Sequence, residues 1–586
     1  VREVAYETLT KAERGRRHST VAGWLSKRVR ELDREDEELE QLAHHYGAAA
    51  ELVGELGPVD GVPADITQLA VDALERAAHR AEQRDLHLVA VHFLDDALRL
   101  GDAGSRRSLL LARAASLAAL HETERARADL AEAQSDAESA GDLTSIARSL
   151  TVLGNVLQRE GDFEHSASVL QDAVAAWSAA GDQKGEAEAL RRRGMAFLLG
   201  GQSAQAETPI SLALEMSRQM GDRRGQAWAL QNLAWIKFNQ GDLLAAEERL
   251  NESMLAFADS RDYGGLGWAL GLLGWVRFQQ GRLTEAESLA TQILDELRET
   301  GDRWATAMIV MLMANIRLWQ GRIGESIERA HEARQLFVEM NDVLGQFRSM
   351  VPEVRGLAAA GRADEALARV EQAIELSGGP AEANITGILP SLAGQLGDPS
   401  LAARAHAEAT SFDDVLAAPM PGKGPEELAV HFALLDLQSG DPDAALRRLL
   451  SEPPELPAPG SQSPFAAGVL ALALVGVGRA AEADAFLEPV LAEGSRATYA
   501  DRIDALVARG LASAALGHRE EADAAFASAS ELADATDDVL RQGLARLAAA
   551  HGTGGPSALA DARSRLCESG VTAEGWDTAY SLGLRS

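Results

Sequence analysis

Nine tryptophans occur in the 586 residues of this chain, and two pairs of them recur at a fixed interval. Trp228, Trp235 and Phe238 are answered one interval later by Trp268, Trp275 and Phe278. The next interval places Met308 and Met311 in the series, with Trp319 just beyond Leu318. Arg191, Arg348 and Arg355 take corresponding positions to either side, as do Arg148 and Arg159. Indole and thioether surfaces bind apolar or aromatic groups, and guanidinium groups bind carboxylates. Trp, Met and Arg are enriched where proteins grip partners. This is the chemistry of recognition rather than of bond-making.

Residue patterns for catalysis are not found. No Gly-x-x-x-x-Gly-Lys-[Ser/Thr] phosphate loop is present. Pro421-Gly422-Lys423-Gly424 lacks the leading glycine and the hydroxyl. Gly265-Leu266-Gly267 does not complete a dinucleotide fingerprint and follows no strand. His121-Glu122 and His331-Glu332 lack the second histidine of a zinc-protease helix. His44/His45 and His87/His92 are ligands on paper and read more simply as surface or packing histidines. Carboxylate pairs such as Asp95/Asp96 and Glu247/Glu248 read as solvated faces in a chain with 89 acids. One cysteine, Cys567, excludes a disulfide framework and suits a reducing compartment. A net charge of −33 disfavours nucleic acid and anionic membrane surfaces as partners. No run of 18 apolar residues suggests a membrane span. The sequence therefore predicts a non-enzymatic chain with no cofactor and no metal, placed in the cytoplasm.

The elements that carry the aromatic series follow from a repeat. Gly-Asp pairs stand at 101–102, 141–142, 181–182, 221–222 and 301–302, with Arg261-Asp262 and Asn341-Asp342 in the intervening slots. A second glycine series lies halfway between, at Gly161, Gly201, Gly241, Gly281, Gly321 and Gly361. Each segment between glycines reads as a helix. In 226–239 apolar residues recur at steps of three and four with no proline. Its partner, 243–259, places Leu243, Ala246, Leu250 and Leu255 on one stripe. The glycines close helices and the aspartates cap the next. Small residues (Gly154, Gly194, Ala234, Gly274, Ala314 and Ser166, Ala206, Ala246, Ala286, Ser326, Ala366) mark where helices approach closely. Pro209 and Pro352 fall inside predicted helices and are positioned to kink them. Antiparallel helix pairs repeated without breaks give an all-α solenoid.

The order of large apolar, small, glycine turn, small, large apolar resembles the tetratricopeptide repeat. The period is 40 rather than 34, and this longer form resembles the repeats of bacterial signal-transduction ATPases with numerous domains. The resemblance implies that positions 2, 5, 9, 12 and 13 of each first helix line a concave groove. With Leu230 and Leu270 at the fourth position, Trp228, Trp235 and Phe238 take positions 2, 9 and 12. Stacked about 10 Å apart, they would form an aromatic ladder. The competing reading is core packing, in which Trp235 or Trp275 fills the space between helix layers.

The two ends differ from the middle. The first 34 residues carry nine bases against five acids. Val1-Arg2-Glu3-Val4-Ala5-Tyr6-Glu7-Thr8-Leu9, Arg14–His18 and Ala22-Gly23-Trp24-Leu25 resemble the winged-helix end of the ATPase region in actinobacterial multidomain regulators, and Leu42-Ala43-His44-His45-Tyr46 resembles the helix that begins the repeat region there. Those regulators often carry an adenylate/guanylate cyclase domain. On this resemblance, 1–53 is the remnant of that region with a lead-in helix. Residues 65–380 are regular repeats and 381–586 are irregular repeats with a C-terminal cap. Arg84-Asp85 with Leu86–Leu100 reads as an extra leading hairpin, 54–64 as a linker, and the proline-rich 451–464 as a loop. Twelve of 18 prolines fall between Pro380 and Pro464. An effector domain is expected before Val1. The expected function is a sensor or scaffold arm of a cytosolic multidomain regulator, binding a protein, a peptide or a small ligand in the groove. The alternative is a module through which the parent protein forms homo-oligomers.

Overall fold

The computed structural model describes residues 8–32, 35–83, 86–300, 302–376, 387–408, 425–450, 456–460, 463–572 and 574–584. Gly301, Val1–Glu7, Arg84-Asp85, Pro380 and Pro421–Gly424, all named above, lie outside them. The described residues form 29 α-helices and no strand. No helix among them is long and apolar enough to cross a membrane. Successive helices pack against one another as an α-solenoid, as Leu143–Arg159 does on Phe163–Ala180. Alternate helices also touch, as Ala103–Ala119 does Leu143–Arg159 and as the latter does Gln183–Leu199. We call this mutually touching row the inner row and the row of Thr123–Ala140, Phe163–Ala180 and Ser203–Met220 the outer row.

The chain divides into two compact units. The first comprises 1–236, 248–269 and 296–302; the second comprises 237–247, 270–295 and 303–586.

In the first unit the small residues do what their spacing suggests. A Cβ on Gly154 would stand 2.5 Å from Leu170, and one on Gly194 would stand 2.3 Å from Ile210. Ser166, fully buried, donates its hydroxyl to the Gly154 carbonyl at 2.8 Å. The glycines at 141, 161, 181, 201 and 221 sit at positive φ, where a side chain is strained. Arg261 adopts the same left-handed conformation in the first unit and Asn341 does so in the second, so glycine's slot keeps its geometry without glycine. Gly101 departs from the series: its φ is −67°. Asp102, Asp142, Asp162 and Asp182 accept backbone N–H bonds as N-caps. Of the outer helix Leu243–Ser260 the first unit holds 248–260, where the buried stripe is Leu250, Ser253 and Phe257. Leu255 is 70% exposed, because a step of five from Leu250 is well off one helical face.

In the second unit the inner helices Arg303–Trp319 and Val343–Ala359 continue the pattern, and Ser326 repeats the Ser166 bond, to the Ala314 carbonyl. Pro352 lies inside its helix without ending it, as does Pro209 in the first unit. Pro464 opens a helix at its first turn behind the Ser463 cap rather than lying in a loop. The closing helices from Tyr499 to Ser581 fold back onto earlier turns. Asp537 accepts from the Ile323 and Gly324 amides at 2.7 and 3.0 Å, capping a helix far from it in sequence. Gly575 donates to the Gly397 carbonyl at 2.8 Å, and Trp576 donates to the Gln395 carbonyl at 2.9 Å. One hydrophobic core joins Phe347, Met350, Leu392, Phe432, Leu470, Phe526, Leu566, Trp576 and Tyr580.

Candidate functional site

The inner helices of the first unit carry a connected polar layer. On Gln183–Leu199, Arg191 lies over Glu188, donating from Nε at 3.0 Å and from Nη2 at 2.8 Å. Its third contact crosses to the next inner helix, Arg223–Asn239, where Asn232 Oδ1 accepts at 3.0 Å. Arg192 also pairs with Glu188 and reaches the preceding inner helix, where Asn155 Oδ1 accepts at 2.7 Å. Gln158 donates to the Arg192 carbonyl at 3.0 Å, and Asn232 donates to Gln231 at 2.6 Å. One chain of hydrogen bonds thus spans three successive inner helices.

Arg191 is 8% exposed and Asn232 is 2% exposed, so these two are structural members of the layer. Glu188 and Arg192 keep 38% and 34% of their side-chain surface open. Burial opposes the charge on Glu188, but Arg191 and Arg192 prevail and hold its carboxyl well below the usual carboxylate range. Burial lowers the Arg192 value and Glu188 opposes it; a guanidinium stays charged at neutral pH. On the helix Leu143–Arg159, Arg148 and Arg159 are exposed; the Arg148 charge acts on Glu82, and Arg159 reaches His121 at 3.2 Å.

Trp228 closes the layer. Arg191 sits over its ring at 5.5 Å, and Phe257 meets it edge-on at 5.1 Å. Its indole N–H donates to Asp262 at 3.1 Å, and Asp262 also caps the following inner helix through the Gly265 amide at 2.9 Å. Trp268 does the same toward Asp302 at 3.2 Å. Both indole N–H groups are therefore spent on the aspartate that precedes the next repeat, while the half-buried rings remain available. Trp235 is half-buried beside Leu198 and Leu233. Phe238 is 3% exposed and belongs to the packing.

In the second unit, Trp304 makes the equivalent bond to Asp342 at 2.9 Å. Trp275, Phe278 and Trp319 form an aromatic group, with ring centroids 6.0 Å apart for the first pair and 4.2 Å for the second. Phe278 and Met311, each 4% exposed, are core residues, whereas Trp275, Met308 and Trp319 are half-buried. The Trp275 indole N–H is buried with no acceptor among the described residues. Arg348 and Arg355 are partly exposed on Val343–Ala359. Burial lowers the Arg348 value against the pull of Asp342. Arg277 and Gln280 share Glu247, and Arg317 and Gln320 share Glu287 one repeat later.

Aromatic spacing does not point to Glu188, Arg192, Asn155 or Asn232. Glu188 is accessible to the same reasoning: it takes the register position of Trp228, Trp268 and Met308, one repeat earlier.

Residues 225–299 match the family model for the tetratricopeptide repeat. Among solved structures, the crystal structure of Rap protein complexed with competence and sporulation factor matches at 11% identity and a TM-score of 0.37. That match covers 60% of this chain and 93% of the other. No curated protein sequence matches the chain.

Proposed function

We propose that this chain is a non-catalytic binding arm whose inner helices in the first unit hold an extended, acidic segment of a partner protein or peptide. The observation that supports this is the fixed, partly open polar layer of Glu188, Arg192 and Asn155, with the Arg159 charge acting on Arg192 and the Trp228 ring bounding it. A peptide brings backbone N–H and C=O groups that need partners when they leave water. Amide and guanidinium side chains held in place by neighbours offer those partners at low ordering cost. The layer carries more arginine than acid, in a chain whose net charge is −33. An acidic segment is therefore drawn to this face and repelled by much of the remaining surface.

The finer reading, an arm serving a cytosolic multidomain regulator, rests on the resemblance of Arg14–His18, Ala22–Leu25 and Leu42–Tyr46 described above. The family match over 225–299 supports a scaffold of tetratricopeptide type.

Selection from a random peptide library tests the proposal. The recovered peptides are expected to be rich in Asp and Glu, to bind more weakly as salt rises, and to lose about tenfold or more in affinity on the Asn155→Ala/Arg192→Ala double variant. Peptides that bind the double variant as well as the wild type would overturn it.

A further inference from the structure

Three histidines converge at the start of the chain, remote in sequence from the polar layer. His18 lies on the helix Lys11–Leu32, and His44 and His45 are adjacent on Glu35–Leu56, the helix packed against it. One nitrogen from each ring lies within 4.8 Å of the others. Nδ1 of His18 and Nδ1 of His45 are 2.8 Å apart. Ring centroids are separated by 5.1 Å for His18 and His45, 5.2 Å for His44 and His45, and 5.9 Å for His18 and His44. His18 and His45 are partly buried, and His44 is exposed.

Two nitrogens ligating one ion at ~2.1 Å stand roughly 3 to 3.4 Å apart. The gap between the two Nδ1 atoms is close to that spacing, and the third nitrogen approaches by rotation of an exposed ring. A hydrogen-bonded histidine pair would need only two rings. The third ring, converging from the solvent side, supplies the facial set of three imidazoles that borderline divalent ions prefer.

We propose that His18, His44 and His45 form a binding site for a divalent transition ion of the zinc or nickel type. The ion clips the first two helices together, with solvent completing its coordination. Burial and the neighbouring rings hold His18 and His45 below the ordinary histidine range. The proton shared between the two Nδ1 atoms moves to Nε2 of its own ring when the ion binds. Arg14 and Arg17, each within a turn of His18, repel a dication. The affinity is therefore expected to be about micromolar rather than that of a closed thiolate site.

The test uses the untagged full chain after chelator treatment, titrated with Co(II) by visible absorption and with Zn(II) by calorimetry. The expected result is one ion per chain, with binding weakened about tenfold or more in each of His18→Ala, His45→Ala and His44→Gln. His44→Gln alters only the exposed ring, so it keeps the test decisive where the other two disturb packing. Hydrogen exchange with and without Zn(II) should show new protection confined to the helices Lys11–Leu32 and Glu35–Leu56. Absence of a one-to-one complex, or a one-to-one complex unchanged by His44→Gln, would overturn the proposal.

Discussion

The same glycine turn occurs in two settings in this molecule. At Gly141, Gly161, Gly181, Gly201, Gly221 and Gly241 the chain turns at positive φ with open space around the Cα. At Gly321, Gly361 and Gly397 the φ values are equally positive, but a later segment covers each turn. A Cβ would meet Thr536 at 2.6 Å, the Ser569 carbonyl at 2.8 Å and Trp576 at 2.5 Å. The open turns need glycine for backbone conformation alone. The covered turns need it twice, for conformation and for close approach. The identical local signal therefore serves a free edge in one region and a docking seam in the other.

Deleting what covers the seam should have the largest effect. Trp576→Ala removes a side chain that is 7% exposed and its bond to the Gln395 carbonyl. We expect a loss of about 3–5 kcal/mol in urea unfolding of the second unit. The glycines then separate the two settings. Gly321→Ala should cost about 3 kcal/mol, from left-handed strain plus the clash with Thr536. Gly241→Ala should cost only about 1 kcal/mol, from strain alone. Equal costs would erase the distinction. Asp537→Ala removes the cap on Ile323–Glu339 and should cost about 1–2 kcal/mol. The lost hydrogen-exchange protection should centre on that helix's first turn, as well as on Asp537's own neighbours.

The smallest effect is on pH dependence, where individual carboxylates differ in sign. Bonds from Ser145 hold Asp142 below the ordinary carboxylate range, and Arg277 does the same for Glu247. Their stabilisation is present above the unfolded carboxylate range, near pH 4, and is lost as pH falls through their lowered values. Burial raises Asp504, against the pull of Arg541 in the Tyr499–Asp538–Arg541–Asp504 network. Ionising Asp504 costs folded stability, and that cost vanishes as pH falls through its raised value. Intrinsic-rate-corrected hydrogen exchange should show Tyr499–Gly552 gaining protection on mild acidification, while Leu143–Arg159 stays level and then weakens below about pH 4.

Periodicity carried most of the fold. The repeat interval located the turns, the caps and the small residues at helix crossings, because each is a local requirement met in every unit. Gly185, Gly265 and Gly345 also recur in step with that repeat. Their reason is tertiary: each makes room for an aromatic ring, of Trp177, Phe257 and Phe337 respectively. The covering of Gly321 and Gly397 was not legible, since it depends on Thr536 and Trp576, which stand many repeats further along the chain. Of the candidate site, the aromatic register placed Trp228 and Trp268 on inner helices. It could not tell that their indole N–H groups bind the next cap, or that Phe238, Phe278 and Met311 turn into the core. The polar layer escaped because its members alternate between register positions, joined by hydrogen bonds rather than by residue type.

On the proposed function, the inner helices of the first unit are the binding face. Hydrogen exchange of the chain with a library-selected acidic peptide tests it directly. New protection is expected on Leu143–Arg159, Gln183–Leu199 and Arg223–Asn239, with none on the outer helices Phe163–Ala180 and Ser203–Met220. Protection on the outer helices, or none on the three inner ones, would contradict it.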